Sequence, residues 1–302
     1  MKKYRRKARR QGKISALVLG LLLPMLITVL LQNRQLDILL GGVETAAGQT
    51  ADCVPEEVLI GMLAKEISVN AEEEVLRAQC VIARTNYLDA KQKGAKEPDR
   101  MSLQEMQDIF GEDYEAVYET FRQCVKDTAG EVLLWQGDYI YAAYHAISSG
   151  TTRTMQELYG QVPMPYLTGC DCHDDAAAEG YLSVYYWEKT EFLQKVKAAF
   201  QDAVIDDAAQ VQVKTRDTAG YALTVTVGDT EYEGETFRKA MQLNSACLTI
   251  AETGDKIRIV SQGVGHGFGM SQHMAGVLAG EGKDHFEILN YFYPGAELTQ
   301  KE

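Results

Sequence analysis

The sequence predicts an α+β fold, helices first and antiparallel strands after, carried behind an N-terminal membrane anchor. Three observations predict it. Apolar residues recur at helical spacing from about residue 55 to 125. Beyond residue 130 the pattern changes to short alternating runs separated by turn residues. Ahead of both stands a basic cluster followed by a long apolar run.

The N-terminus carries Lys2, Lys3, Arg5, Arg6, Lys7, Arg9, Arg10 and Lys13 with no acidic residue among them. An apolar run from Ile14 to Leu31 follows, interrupted only by Ser15, Gly20, Pro24 and Thr28. That length suffices to cross a bilayer as a helix. The cationic tail (1–13) is expected to stay cytoplasmic, which places everything after the span outside. A cleaved signal peptide is the rival reading. No small-x-small site follows the apolar run, only Gln32-Asn33-Arg34-Gln35, so an uncleaved span over 14–31 is expected. Residues 32–54 have no sustained period and read as a linker. One domain is expected over 55–302.

The whole chain has a net charge of −13. Because the tail is cationic, the remainder is more acidic still. A strongly acidic domain excludes nucleic acid as a partner, which requires a basic surface.

Within the domain, Pro55 with Glu56 and Glu57 marks the start of a helix expected to reach about residue 67. Asn70 is the expected N-cap of a second, with Glu72, Glu73 and Glu74 in its first turn and an end near Lys93. Two further helical stretches cover about 102–125. Val132–Trp135 and Tyr139–Tyr144 flank Gln136-Gly137-Asp138 and predict a hairpin. A strand over 183–187, a helix over 189–202, antiparallel strands over 209–235 and a short helix over 235–242 follow. A strand at Lys256–Ser261, a glycine-rich loop and helices over 271–281 and 285–292 complete the reading.

In the first helix Val58, Leu59, Met62 and Leu63 define a buried stripe. Glu66 follows Met62 by four residues and Leu63 by three, so it falls on that stripe. Desolvation raises the pKa of such a carboxylate, the state required of a proton donor near neutral pH. The spacing equally allows an ordinary ion pair at a helix end. Arg84, on the second helix, is the expected partner, whether as a structural ion pair, as an orienting group or as a contact to a sugar oxygen.

Two loops are rich in potential ligands. Gly263-Val264-Gly265-His266-Gly267-Phe268-Gly269-Met270-Ser271-Gln272 alternates glycine with larger residues and ends on Ser271, a potential helix cap. Its amides, or His266, suit an oxyanion or a sugar oxygen. The spacing fits neither a phosphate loop nor a dinucleotide fingerprint. The other loop, His145-Ala146-Ile147-Ser148-Ser149-Gly150-Thr151-Thr152, offers one imidazole and four hydroxyls. It lacks a nucleophile elbow, and such hydroxyls equally serve their own backbone. Six cysteines are present. Cys80 fits an apolar helix face, whereas Cys170, Cys172 and His173 together suggest a zinc site.

Three blocks, in order, resemble the stage II sporulation protein D family, whose domain is also described as an amidase-enhancer or LytB-type domain. Ala64–Ile67 with Leu76–Tyr87 is similar to the family's A-x-E-M-P and L-K-A-Q-A-V-A-A-R-T-Y. Tyr144–Thr152 is similar to Y-H-S-T-S-G-G-x-T. Gly265–Gln272, with Ala275-Gly276, Ile288-Leu289 and Tyr291–Gly295, is similar to G-H-G-V-G-M-S-Q-x-G-A and I-L-x-x-Y-Y-P-G. The chain departs from the pattern at Ile67-Ser68, at Ser149, at His273-Met274 and across Cys170–His173.

The resemblance implies a single-pass membrane protein of sporulation and engulfment, acting as a lytic transglycosylase on peptidoglycan strands free of stem peptides. It implies Glu66 as the catalytic acid and then base, with Arg84 beside it. His145, Ser148, Ser149, Thr152, His266, Ser271 and Gln272 become candidates for substrate binding. A cell-wall amidase and other engulfment membrane proteins become candidate partners, and no cofactor is required. A non-catalytic glycan binder that enhances an amidase is the alternative.

Overall fold

The computed structural model describes residues 54–160 and 164–301. The basic tail, the expected span over 14–31, the linker as far as Cys53, and Cys53 itself lie outside the described residues. Among the described residues no helix is long and apolar enough to cross a membrane.

Four helices open the domain: α1 (Glu56–Glu66), α2 (Glu73–Lys93), α3 (Leu103–Phe110) and α4 (Tyr114–Asp127). The second is the axis of the first lobe. Val75, Ala78, Val81 and Ile82 face one apolar core, while Leu76, Cys80, Ala83 and Leu88 face another shared with α1 and α4. A helix apolar on both sides must be enclosed, and the rest of the lobe is what encloses it. Its N-cap is Glu72 rather than Asn70, and no side chain caps it. Gly94 ends it in the left-handed conformation at φ 61°.

The hairpin forms from β1 (Glu131–Trp135) and β2 (Asp138–Tyr139), with Gln136 and Gly137 both at positive φ in the two-residue turn. It is shorter than expected. After Tyr139 the backbone of Ala142 pairs with the side chain of Asn86 on α2 instead. Asn86 Nδ2 donates to Ala142 O at 2.9 Å, and Ala142 N donates to Asn86 Oδ1 at 2.8 Å. The chain thus leaves the hairpin, and β3 (Tyr144–His145) pairs in parallel with β10 (Met270–Ser271), far away in sequence.

A second lobe occupies the stretch between. A short helix, α5 (Met155–Tyr159), and a 3₁₀ turn (His173–Ala177) lead into β4 (Leu182–Glu188) and α6 (Lys189–Ala199). An antiparallel meander follows: β5 (Val211–Arg216), β6 (Ala222–Val227) and β7 (Thr230–Glu233). Next come α7 (Gly234–Met241), β8 (Leu248–Thr253) and β9 (Lys256–Gln262), with β9 central between β4 and β8. Phe192, Val196, Val225, Phe237, Leu248 and Ile259 form its core.

The chain then returns to the first lobe through α8 (Gln272–Gly280), α9 (His285–Phe292) and β11 (Glu297–Gln300), the last pairing with β1. The α+β class with antiparallel sheets is therefore correct. The strands β8 and β11 were not expected. Their sequences are short and polar on one face, and they become strands by pairing with β9 and β1.

The glycine-rich loop is the hinge of this return. It runs against residues 143–148, and its glycines are dictated by closeness. A Cβ on Gly269 (φ +66°) would lie 1.8 Å from Ala143 O, and one on Gly265 would lie 2.6 Å from the His145 Cβ. Gly269→Ala is therefore expected to destabilise the protein by more than about 2 kcal/mol. The matched control is Gly94→Ala, where φ is +61° with nothing nearby; its cost should be about 1 kcal/mol. Chemical denaturation of both variants compares them, and equal losses would contradict the packing argument.

Candidate active site

Glu66 sits in the last turn of α1, where the apolar stripe meets the surface, and its side chain is half-buried. Three residues from distant parts of the chain converge on it. Gln79, fully buried on α2, donates from Nε2 to Glu66 Oε2 at 2.9 Å. The Tyr144 hydroxyl donates to the same carboxyl. Gln272, at the start of α8, donates from Nε2 to the Glu66 carbonyl oxygen at 2.9 Å and to Gln79 Oε1 at 3.2 Å. The β3–β10 pairing makes the meeting possible, because it sets Tyr144 opposite Met270 and so carries Gln272 to the end of α1.

Burial is the largest influence on the Glu66 carboxyl and raises it to about pKa 7. Hydrogen bonds from Gln79 and Tyr144, and the charge of Lys65, pull the other way. The result is an acid that holds its proton near neutrality and whose conjugate base is already solvated by two donors. Tyr144 shifts in the same sense: burial, then the neighbouring Glu66 charge, push its phenol far above the ordinary value. It remains a donor at any physiological pH. Tyr144→Phe should raise the Glu66 pKa further and slow any reaction in which Glu66 gives up a proton, by about 10–100-fold. A pH–rate profile would show the alkaline limb moved upward; an unmoved limb would detach Tyr144 from Glu66.

The expected Glu66–Arg84 pair does not form. Arg84 is buried, donating to Glu131 O at 3.0 Å, Val125 O at 3.3 Å and the Thr128 hydroxyl at 3.4 Å. It fastens the end of α4 to α2. The reason is helical phase: five residues at 100° each place Arg84 well round the helix from Gln79, the residue that does face Glu66.

The hydroxyl loop is likewise occupied by the fold. Ser148 Oγ accepts from Gly150 N at 3.0 Å. Ser149 Oγ donates to Ala219 O at 2.8 Å. Thr152 Oγ1 donates to Thr168 O at 3.1 Å and accepts from Cys170 N at 2.7 Å. Ser271 is buried, donating to Asp175 Oδ2 at 2.7 Å while capping α8 by accepting from Met274 N at 3.4 Å. These hydroxyls shape the loops rather than face a ligand. Of the residues expected to bind substrate, Gln272 alone joins the group at Glu66.

The two histidines of these loops lie side by side, with ring centroids 5.8 Å apart. His145 is buried; its Nδ1 donates to Phe268 O at 3.0 Å, and burial pushes its pKa down to about 3. His266 Nδ1 accepts from Phe268 N at 3.1 Å, so its proton resides on Nε2, and burial lowers its pKa to about 4. Both rings are neutral at pH 7. Several amides of the glycine-rich loop are engaged too: Gly263 N with Tyr181 O, Val264 N with Ile147 O, and Gly265 N with Asn244 O.

Cys170, Cys172 and His173 do not converge. Cys170 Sγ donates to Tyr291 O at 3.2 Å, and burial pushes both thiols up. His173 points outward, its side chain 73% exposed, beside Asp171 and Asp174. Among the described residues no group of three or more His, Cys, Asp or Glu side chains could hold a metal ion. Cys80 is core, as its helical position implied.

Several organising residues were not singled out from sequence. Gln79 had a usable signal, as an amide set among the apolar residues Val75, Ala78, Val81 and Ile82 of its helix. Arg153 and Asp175 had none. Arg153 is fully buried; its Nε contacts Asp217 Oδ2 at 2.6 Å, its Nη1 donates to His266 O at 3.2 Å, and its guanidinium lies over the rings of Tyr221 and Phe268. Asp175, also fully buried, accepts from Ser148 N, the Ser271 hydroxyl and His273.

A family model described as "Stage II sporulation protein" matches residues 44–135, which include Glu66 and Gln79. The chain is 28% identical to stage II sporulation protein D of Bacillus subtilis, over 85% of this chain and 78% of the relative. It is 28% identical to the protein of the same name from Bacillus amyloliquefaciens, over 82% and 74%. An amidase enhancer of Bacillus subtilis is 26% identical over 80% of this chain and 40% of the relative. Glu66 and Gln79 lie within the residues that the family model matches, and the likeness to stage II sporulation protein D extends over more than four fifths of the chain.

Proposed function

We propose that this protein is a peptidoglycan lytic transglycosylase acting on glycan strands free of stem peptides during sporulation, with Glu66 as its acid and base. The observation that carries the reading is the Glu66 carboxyl, raised to about pKa 7 and clasped by Gln79 and Tyr144. Protonated, it gives its proton to the glycosidic oxygen as the bond to the muramyl C1 breaks. Gln79 and Tyr144 stabilise the carboxylate left behind. That carboxylate then takes the proton of the muramyl C6 hydroxyl as its oxygen closes onto C1. The acid is regenerated and no water is consumed. Most glycosidases need two carboxylates; here the carboxyl's own contacts are an amide and a phenol, which suits a single-residue cycle. Arg84 serves the fold in this scheme.

We place the domain outside the membrane behind an uncleaved N-terminal span, with glycan strands as substrate and a cell-wall amidase and other engulfment membrane proteins as partners. The test is mass spectrometry of peptide-free glycan incubated with the protein. Products ending in anhydromuramyl residues are expected; ordinary reducing ends would indicate a hydrolase. The relationship to an amidase enhancer supports a second reading, a glycan binder that stimulates an amidase. It predicts no new ends from the purified protein alone.

A further inference from the structure

Next to Gln272 on α8 is an arrangement that the reaction above does not use. Asp175 is a carboxylate with no exposed surface, and both its oxygens are engaged. Oδ2 accepts from Ser148 N at 2.8 Å and from the Ser271 hydroxyl at 2.7 Å. Oδ1 stands 3.0 Å from His273 Nδ1, with the carboxylate side chain 0% and the imidazole 34% exposed. A carboxylate accepts only, so Nδ1 carries the proton toward it. That fixes the tautomer of the neutral ring and leaves the Nε2 lone pair free.

The backbone holds the imidazole as firmly as the carboxylate does, with His273 N donating to Ala146 O at 3.1 Å. Satisfying Asp175 alone would need only a donor, which a serine or an asparagine supplies. An imidazole adds a second nitrogen, on a side chain 34% exposed, one residue from the glutamine that contacts both Glu66 and Gln79. Oriented acceptors of this kind suit a neutral ligand rich in hydroxyl groups.

Resting on the glycan-cleaving reading above, we propose that His273, oriented by Asp175, is a positioning residue whose Nε2 accepts a hydrogen bond from a sugar hydroxyl of the strand lying across Glu66. It holds the strand in register; proton transfer stays with Glu66.

Two substitutions separate this role from a structural one. His273→Asn keeps a donor at the place of Nδ1 and removes the acceptor. His273→Gln sets an amide oxygen near the place of Nε2. The full chain carrying Glu66→Gln binds peptide-free glycan oligosaccharides without turnover, so affinity is read directly. Adding His273→Asn should weaken Kd roughly tenfold with an unchanged denaturation midpoint, and His273→Gln should restore much of it. In the otherwise native chain, His273→Asn should raise KM by a similar factor and leave kcat nearly unaltered. Equal affinity of the Asn variant and its parent overturns the proposal, as does an Asn variant no weaker than the Gln variant. If the native chain releases no anhydromuramyl ends while glycan affinity still depends on His273, the cleavage reading fails and this one stands. If cleavage is seen but His273→Asn alters neither Kd nor KM, this one alone fails.

Discussion

Under the proposed reaction, Glu66→Gln should reduce release of anhydromuramyl products about 10³-fold, the scale of losing a general acid that also serves as base. The variant is nearly isosteric with the protonated acid, and its amide oxygen still accepts from Gln79, so the fold is preserved. Stability should change in a direction fixed by linkage. Folding raises the Glu66 pKa from 4.5 to about 7. Below pH 4.5 the carboxyl is protonated in both the folded and unfolded states and contributes no difference. Between pH 4.5 and 7 the unfolded chain ionises first, so the native protein loses stability as pH rises; above 7 the full penalty is present. Glutamine carries no such penalty. The variant should therefore match the native protein at pH 4 and exceed it at pH 8, by on the order of 1–2 kcal/mol after allowing for solvent at the open edge of the carboxyl. Denaturation midpoints at the two pH values measure this. A variant less stable than the native protein at pH 8 would show that Glu66 is held as a carboxylate, and the acid role would fall with it.

The second large effect is expected at Arg153→Ala, far from the reacting groups. Its guanidinium is enclosed between two aromatic rings and bonded to the buried Asp217. Removing it leaves a carboxylate inside the protein with its cation gone, for which losses of about 3–5 kcal/mol are typical. It also releases the His266 carbonyl, and with it the glycine-rich loop that leads into β10. Activity should therefore fall along with stability even though Arg153 touches none of the groups at Glu66. Pairing Arg153→Met with Asp217→Asn should recover more than half of the lost stability, because no unpaired charge then remains. Urea denaturation of the single and double variants decides it. Additive losses would mean that the ion pair is not what holds the loop.

Much of this was legible in the sequence because it depends on neighbours a few residues apart. The first helix, its apolar stripe and the placement of Glu66 on that stripe follow from a period of 3.6. The Gln136-Gly137 turn follows from two adjacent positive-φ residues, and the role of Ser271 as a cap from its place before an apolar run. Where local pattern does not lead to the observed partner, the deciding contact is distant. Arg84 seemed the natural partner for Glu66 by charge, but its helical phase directs it to the end of α4, and an uncharged glutamine takes the place. Ser148, Ser149 and Thr152 are hydroxyls that a loop uses for its own backbone as readily as for a ligand, and only the family resemblance makes them candidates for substrate binding. Only the packing of that loop against residues 168–175 and 219–221 shows that the backbone uses them.

The sequence by itself determined the α+β class, the acidic character of the chain, and one carboxyl in an unfavourable apolar setting. Each is a local property, set by composition or by helical period. Tertiary structure alone decided what surrounds that carboxyl. Gln79 on a neighbouring helix, Tyr144 on a strand that leaves its own hairpin, and Gln272 more than two hundred residues along the chain meet there because β3 pairs with β10 across an intervening lobe. No spacing rule reaches over such a distance. The carboxyl's raised pKa arises from desolvation, offset in part by two donors, and only folding brings these together.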